Sequence, residues 1–267
     1  MASSQLYANE IIIGDEQEYE TPEGFSRGLE LGLRGSVDGF AYDGLAEPFN
    51  PKLLIPRSDW QALIKEREER GLQLSQIMRR NKLPMKNQRS TNYCWIFAPV
   101  HTLEIRRMLQ NEGYLSLSPA SAGAIIKQFR NVGGWGKEAL AFLAKYGCVP
   151  SKMWPDTAID RRYATAEARQ EALLHRCFRW TETRPRNLDQ MVSMLLRGIP
   201  GAFGYNWWGH EITGVDIIWL DGEVALRIRN QWEGWGDDGY GILRASRMLP
   251  DDAVYPLSVN PLNDLVA

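Results

Sequence analysis

The pattern of hydrophobic and polar positions divides the chain into a helical first part and a strand-rich second part. Apolar residues recur at helical spacing from Trp95 to Gln110. Shorter helices are predicted from capping residues and the same spacing, namely from Ser118-Pro119 onward and over Lys137–Tyr146, Ala164–His175 and Asn187–Gly198. Strand-like patterns cover Ile199–Tyr205, Ile212–Leu220 and Glu223–Arg229, and the last two are joined by the hairpin pair Asp221-Gly222. Helices followed by strands indicate an α+β fold with two unlike lobes.

The two ends of the chain and one charged stretch depart from this pattern. Glycines interrupt residues 1–56 without a sustained period, which predicts an irregular N-terminal extension that wraps over the surface or docks on a protein partner. The glycines concerned are Gly24, Gly28, Gly32, Gly35, Gly39 and Gly44. A charged helix with a solvated face is predicted from Gln61 to Arg80. Residues 251–267 are predicted as a C-terminal tail.

Composition narrows the class of protein. The hydrophobic fraction of 44% and the charged fraction of 24% are typical of a soluble globular protein. A net charge of −2 gives no reason to expect nucleic acid or an acidic membrane as a partner. Residues 1–20 lack the basic start of a signal peptide, and no apolar run is long enough to cross a membrane. Three cysteines are too few for a disulfide framework, so the sequence predicts a cytoplasmic or other reducing compartment rather than classical secretion.

A candidate nucleophile lies where a polar loop meets the first long helix. Cys94 stands at the start of that helix, and Gln88 precedes it by six positions. The unpaired N–H groups and the positive dipole end of a helix N-terminus favour the thiolate, which is the reactive form of cysteine. The alternative is that Cys94 is a small buried hydrophobic residue, as most free cysteines are.

The residues around Cys94 resemble the active-site segment of papain-like cysteine proteases. The matching pattern is Gln88, five residues, Cys94-Trp95, one residue, then Phe97-Ala98. The resemblance implies that Cys94 is the nucleophile and that the Gln88 side chain, with the Cys94 N–H, forms an oxyanion hole. This sequence departs from the family in having Thr91 and Tyr93 in place of a Cys and a small residue, and in having Pro99 within the early turns of the helix.

Two later segments resemble the parts of the family that carry its base. Gly209-His210-Glu211-Ile212 is similar to the His segment, and residues 229–240 are similar to the Asn-Ser-Trp-Gly run, with Gln231 in place of Ser. The resemblance implies that His210 is the general base, that Asn230 orients it and that Trp232 shields their hydrogen bond. The hairpin places His210 and Asn230 about three residues out of register, roughly 10 Å apart, which one bulge can shorten.

Further residues and the domain boundaries also follow from the resemblance. The loop Gly133-Gly134 would offer its backbone to substrate, and Gly209 would line the cleft. Trp208 is a candidate either for the core or for a wall of the cleft. Thr91 and Asn131 occupy the places of a common family disulfide, so both cysteines are missing. The papain-like domain is predicted over residues 57–250, with a helical lobe at about 85–165 and an antiparallel β-rich lobe at about 166–250. Because the extension lacks the helical pattern of family propeptides, zymogen control is not expected.

The sequence therefore predicts a cysteine peptidase that hydrolyses peptide bonds through a thioester, with a peptide or protein substrate and without a cofactor or metal. His101 and His175 are predicted as structural histidines, and Cys148 and Cys177 as core residues. Two alternatives stay open. One is a papain-fold structural or binding component with little turnover, for example in a virus particle, and the other is an amidase or acyl transferase with the same three side chains.

Overall fold

A computed structural model describes residues 9–16, 18–31 and 46–259 of the chain. The helices are α1 Arg57–Glu69, α2 Leu74–Arg80, α3 Cys94–Leu109, α4 Pro119–Ile126, α5 Gly136–Tyr146, α6 Ala166–Ala172 and α7 Leu188–Leu196. The strands are β1 Ile11–Ile13, β2 Ala46–Glu47, β3 Arg179–Glu182, β4 Gly201–Tyr205, β5 His210–Leu220, β6 Glu223–Arg229, β7 Tyr240–Leu243 and β8 Asp252–Ser258. No helix within these ranges is long and apolar enough to cross a membrane.

One sheet runs through the described part of the chain, in the order β1-β7-β6-β5-β4-β8-β3-β2. Its central pairs are antiparallel, whereas β1 pairs with β7 and β2 pairs with β3 in parallel. Residues of α3 and α5 pack on one face of this sheet, and residues of α1 and α7 pack on the other. The two hydrophobic clusters confirm the predicted α+β fold with two unlike lobes.

Local capping signals fix several of the helices as predicted. The Ser118 hydroxyl accepts a hydrogen bond from the Ser121 N–H at the start of α4, and Asn187 accepts one from the Gln190 N–H at the start of α7. Gly147 ends α5 with a φ of 69°, in the left-handed region that favours glycine. The single charged helix predicted over Gln61–Arg80 is wrong, because the chain forms α1 and α2 and turns between them at Gly71, where φ is 65°.

The predicted hairpin is confirmed and carries one bulge. Asp221 and Gly222 both have positive φ, as the tight turn requires, and Leu220 pairs with Glu223. The register shifts between Gly214 and Asp216, so the end of β5 that carries His210 is displaced relative to β6. This shift brings His210 and Asn230, both at the open end of the hairpin, one residue closer in register than a regular hairpin would.

The N-terminal extension and the C-terminal tail are more ordered than the sequence indicates. Strands β1 and β2 lie at the two edges of the sheet, and the Glu47 carboxylate on β2 pairs with the Arg179 guanidinium. Residues 252–258, predicted within a tail, form β8 between β3 and β4. The predicted glycines at positions 32, 35, 39 and 44 lie outside the described residues, as do residues 260–267.

Candidate active site

Cys94 is the first residue of α3, and its side chain is fully buried. The loop before it is fixed by hydrogen bonds to Asn131: the Asn92 N–H donates to Asn131 Oδ1 at 2.7 Å, and Asn131 Nδ2 donates to the Ser90 carbonyl at 3.4 Å. The Gln88 N–H donates to the Gln231 carbonyl at 2.9 Å, which ties the same loop to the β-rich side. Hydrogen bonds of the Asn131 side chain therefore hold the loop that precedes Cys94 in place.

His210 begins β5, and its ring is held on two sides. Its Nε2 lies 2.9 Å from Asn230 Oδ1, and this oxygen also accepts from the Gln231 N–H at 2.8 Å, which orients the Asn230 amide. The Trp232 indole stacks on the imidazole with 4.3 Å between ring centroids. Because Asn230 offers an acceptor, Nε2 carries the hydrogen, and Nδ1 is left as the proton-accepting nitrogen. Nδ1 is buried and has no hydrogen-bond partner.

The sulfur of Cys94 faces the residue that follows His210. Backbone N–H groups of Glu211, Gly28 and Trp95 lower the pKa of the thiol, but burial and the nearby Glu211 carboxylate raise it to about 12. Burial likewise lowers the pKa of His210 to about 3, against the effect of its bond to Asn230. The pair is therefore un-ionised in this structure, as a neutral thiol and a neutral imidazole.

Residues 25–30 of the N-terminal extension, the cleft segment, lie across this site. The Gly28 N–H points at Cys94 Sγ at 3.2 Å, and the Gly28 carbonyl accepts from the Gly134 N–H at 2.9 Å. On either side, the Leu29 N–H donates to the Gly209 carbonyl at 3.2 Å and the Glu30 N–H donates to the Gly134 carbonyl at 3.2 Å. The segment therefore binds as an extended peptide between two loops.

The first half of the cleft segment covers Gln88 and the aromatic wall. Gln88 Nε2 donates to the Ser26 carbonyl at 2.9 Å, and Arg27 Nη1 donates to the Trp208 carbonyl at 2.9 Å. The Phe25 ring stacks on the Trp232 indole at 5.0 Å. The group of the segment that is hydrogen-bonded to the Cys94 sulfur is the Gly28 N–H.

Both glycines of the Gly133-Gly134 loop are needed for this close approach. A Cβ on Gly133 would reach the Gly28 carbonyl, and a Cβ on Gly134 would run into the Trp95 indole at 2.5–2.8 Å.

Comparison with known proteins finds relatives in sequence and in fold. The chain is 26% identical over 243 residues to Cathepsin L 1 of Paramecium tetraurelia, covering 83% of this chain and 74% of that protein. The fold is similar to xylellain, a cysteine protease from Xylella fastidiosa, with a TM-score of 0.61 and 16% identity over 91% of this chain and all of that one. It is also similar to procathepsin L 3 of the Tenebrio molitor larval midgut, with a TM-score of 0.59 and 17% identity over 68% of each chain. No family model matches the chain.

In both sequence and fold, the chain is therefore similar to papain-like cysteine proteases, as a divergent member of that family would be. One prediction is wrong in consequence. Cathepsin L relatives and procathepsins are typically lysosomal or secreted proteases, which contradicts the cytoplasmic, non-secreted location expected from the cysteine count. The three free cysteines are all buried in the protein interior, so a small number of cysteines does not by itself indicate a reducing compartment.

Sequence reasoning missed two features of this protease-like site. The cleft segment was expected to dock on a partner or to wrap the surface, but its described residues occupy the chain's own cleft. Glu211 was noted only as part of the His segment, although it is a buried acid beside the sulfur. An acid directly after the base, within an apolar strand, was the available signal. Trp208, expected as a possible cleft wall, is buried behind His210 and contributes its backbone carbonyl.

The remaining candidates lie in the interior away from the cleft. His101 Nδ1 lies 3.2 Å from the Thr213 hydroxyl, and His175 Nε2 lies 3.1 Å from the Glu171 carboxylate. Cys148 and Cys177 both pack in the hydrophobic cluster around α3 and α5. Over the described ranges, no group of three or more His, Cys, Asp or Glu side chains is arranged to hold a metal ion.

Proposed function

We propose that the chain is a cysteine peptidase in which Cys94 is the nucleophile, His210 the general base and acid, and Asn230 the residue that orients the imidazole. One observation carries this proposal. An extended peptide, the cleft segment, lies in the cleft with its backbone bonded to Gly134 and Gly209 and with a carbonyl on Gln88 Nε2. The cleft thus binds the kind of chain that a peptidase must hold.

The chemistry follows from the positions of the donors. In the open cleft, His210 Nδ1, which has no hydrogen-bond partner in the described conformation, takes the thiol proton, and the Cys94 thiolate attacks the scissile carbonyl carbon. The developing oxyanion is stabilised by Gln88 Nε2 and the Cys94 N–H, an effect of about 3 kcal/mol per donor. The imidazolium then protonates the leaving amine as the C–N bond breaks, which leaves a thioester. Water activated by His210 hydrolyses the thioester and returns the thiol.

The cleft segment makes the described conformation inactive. It covers Cys94 with an N–H and occupies the Gln88 donor that an oxyanion would need. Its burial of the thiol and the imidazole also favours their neutral forms. Activity therefore requires that residues 25–30 leave the cleft.

Active-site labelling tests the nucleophile. Full-length protein carrying Gly28→Ala, which disrupts the cleft segment, is incubated with an epoxide-type inhibitor of thiol proteases, and the intact mass is measured. One adduct is expected on Cys94, together with cleavage of a denatured protein substrate, and adding Cys94→Ala should abolish both. Cys148→Ala serves as the control and should leave both unchanged. Labelling or cleavage that persists without the Cys94 thiol would refute the assignment.

A papain-fold binding component without turnover is the second candidate, because the described cleft is closed and its thiol is un-ionised. The same variant separates the two functions. An opened cleft that binds peptide but neither reacts with the epoxide nor cleaves a substrate would favour the binding component.

A further inference from the structure

We propose that Gln231 is a positioning residue, whose side chain holds the start of β5, and with it the His210 imidazole, against Asn230. This inference rests on the proposed peptidase function and adds a residue to its machinery. Gln231 stands where the family motif has Ser, and only 3% of its surface is exposed. The proposed mechanism makes no use of its side chain.

The paired strands of the hairpin end before they reach the site. The last pair of the β5–β6 ladder is Thr213 with Arg229. His210 and Glu211 lie beyond this pair, where β6 has ended and the chain from Asn230 onward forms a loop. On their other side, both residues pair with β4. The distance from the imidazole to the Asn230 amide therefore depends on side chains that cross the gap between β5 and this loop.

Two buried side-chain hydrogen bonds cross this gap. His210 Nε2 bonds to Asn230 Oδ1 at 2.9 Å. Gln231 Nε2 donates to the Glu211 carbonyl at 2.6 Å. The second bond takes the place of a ladder bond, because it joins the loop to the main chain of β5. A hydrogen bond removed from water is stronger than one at the surface. The Gln231 bond therefore limits how far the residue next to His210 can move away from the loop.

A long amide side chain suits this task better than the serine of the family motif. A serine hydroxyl, attached directly to Cβ, would reach the Glu211 carbonyl only if the loop and β5 moved closer together. The backbone of Gln231 makes two further bonds. Its N–H donates to Asn230 Oδ1 at 2.8 Å, and its carbonyl accepts from the Gln88 N–H at 2.9 Å. One residue thus joins the loop of Gln88, the orienting amide and the strand that carries the imidazole.

Loss of the Gln231 side-chain bond should weaken the hold of Asn230 on the imidazole. Without this bond, β5 and the loop can separate, and the His210 Nε2–H spends more time without its acceptor. Turnover then falls, because the imidazole leaves the orientation that the proposed mechanism requires. KM should change little, since the contacts described between the cleft and the peptide that occupies it do not include Gln231.

The hold on the imidazole is measured by nuclear magnetic resonance on the full-length protein, without any turnover. The chain has three histidines, so isotope-labelled histidine gives few signals, and His210→Ala identifies that of the His210 Nε2–H. Its exchange with water is expected to be about 5- to 10-fold faster in Gln231→Met, which keeps a long side chain but has no donor. Gln76→Ser is the matched control. It removes a glutamine bond to the carbonyl of Glu68, between α1 and α2, and should leave the rate unchanged.

Turnover of a fluorogenic peptide is then measured in the Gly28→Ala protein. Adding Gln231→Met should lower kcat about 5- to 10-fold with KM unchanged. Gln231→Ser, a second variant, should have the same two effects, and circular dichroism confirms that each variant is folded. Exchange at the parent rate in the Gln231 variants, or equally fast exchange in Gln76→Ser, would overturn the inference, as would an unchanged kcat. Faster exchange without any turnover of the Gly28→Ala protein would defeat the peptidase proposal but not the hold of Gln231 on the imidazole.

Discussion

Substituting Gly28 by alanine should displace the cleft segment, because the position has no room for a side chain. A Cβ on Gly28 would overlap the backbone carbonyl of Asn92, in the loop that Asn131 holds in place. Backbone atoms cannot rotate away as the end of a long side chain can. The strain is therefore relieved by movement of residues 25–30 rather than of the site.

The size of the effect follows from the contacts that would be lost. Three of them surround Gly28: its N–H to the Cys94 sulfur, its carbonyl to the Gly134 N–H, and the Leu29 N–H to the Gly209 carbonyl. At about 1 kcal/mol net for each hydrogen bond, the closed state loses about 3 kcal/mol. This corresponds to an increase of about 100-fold in the population of open cleft relative to closed.

Alkylation of Cys94 by iodoacetamide reports this population. The second-order rate constant, followed by intact mass and assigned by peptide mapping, is expected to rise about 100-fold in Gly28→Ala at fixed pH. Glu23→Gln alters an exposed residue of the same extension and should leave the rate unchanged. An unchanged alkylation rate in a Gly28→Ala protein of normal melting temperature would show that the cleft segment does not protect the thiol.

Three further results are expected. In the opened protein, Asn230→Ala removes the acceptor for His210 Nε2–H and should lower kcat about 10- to 100-fold with little change in KM, measured with a fluorogenic peptide. Asn131→Ala should lower the free energy of unfolding in urea by about 1–2 kcal/mol, since the hydrogen bonds to Asn92 and Ser90 are lost. Acidification should open the cleft, because His210 has a pKa of about 3 when closed and an ordinary value near 6.5 when exposed. The closed state is thus favoured above pH 6.5 and loses up to about 1.4 kcal/mol per pH unit below it. This loss is measured as lower protection factors at residues 28–30, with each exchange rate compared with that of the unfolded chain at the same pH.

Features that depend on neighbouring residues could be predicted from the sequence. The caps at Ser118 and Asn187 and the turn at Asp221-Gly222 act within three or four positions, so their patterns carry the structure directly. The motif around Cys94 is contiguous in the sequence, although Asn131 and Gln231 hold its loop from a distance along the chain. These signals were sufficient to indicate the fold and the order of the candidate residues along the chain.

Strand β8 was hidden by its proline. Pro256 cannot donate to a neighbouring strand, and proline within a run of apolar residues ordinarily argues against a central strand. In the structure it pairs opposite Trp180, next to a shift in register between β3 and β8, where the regular ladder is already interrupted. The place of such an irregularity depends on the partner strand, which the local sequence does not contain.

The cleft segment was hidden for a different reason. Most of the hydrogen bonds described between it and the site are made by its backbone N–H and carbonyl groups, which do not depend on the identity of the side chain. Only Gly28, where there is no room for a side chain, could have indicated the segment from the sequence, and several other glycines in the extension look the same. The burial of the Glu211 side chain could not be predicted either, because it depends on β4, α5 and β8, which are distant from it along the chain.

The attachment of β1 and β2 at opposite edges of the sheet has a consequence for how this enzyme could be switched on. The inhibitory residues are anchored on both sides, so a competing substrate faces them at a fixed effective concentration in the millimolar range, whatever the dilution of the protein. A single cut between the anchors would leave residues 25–30 tethered to one edge strand only, whereas one cut on each side of them would release them as a separate weak ligand and leave both edge strands in the sheet. Irreversible release by two such cuts, rather than simple competition, would then set the timing of activity.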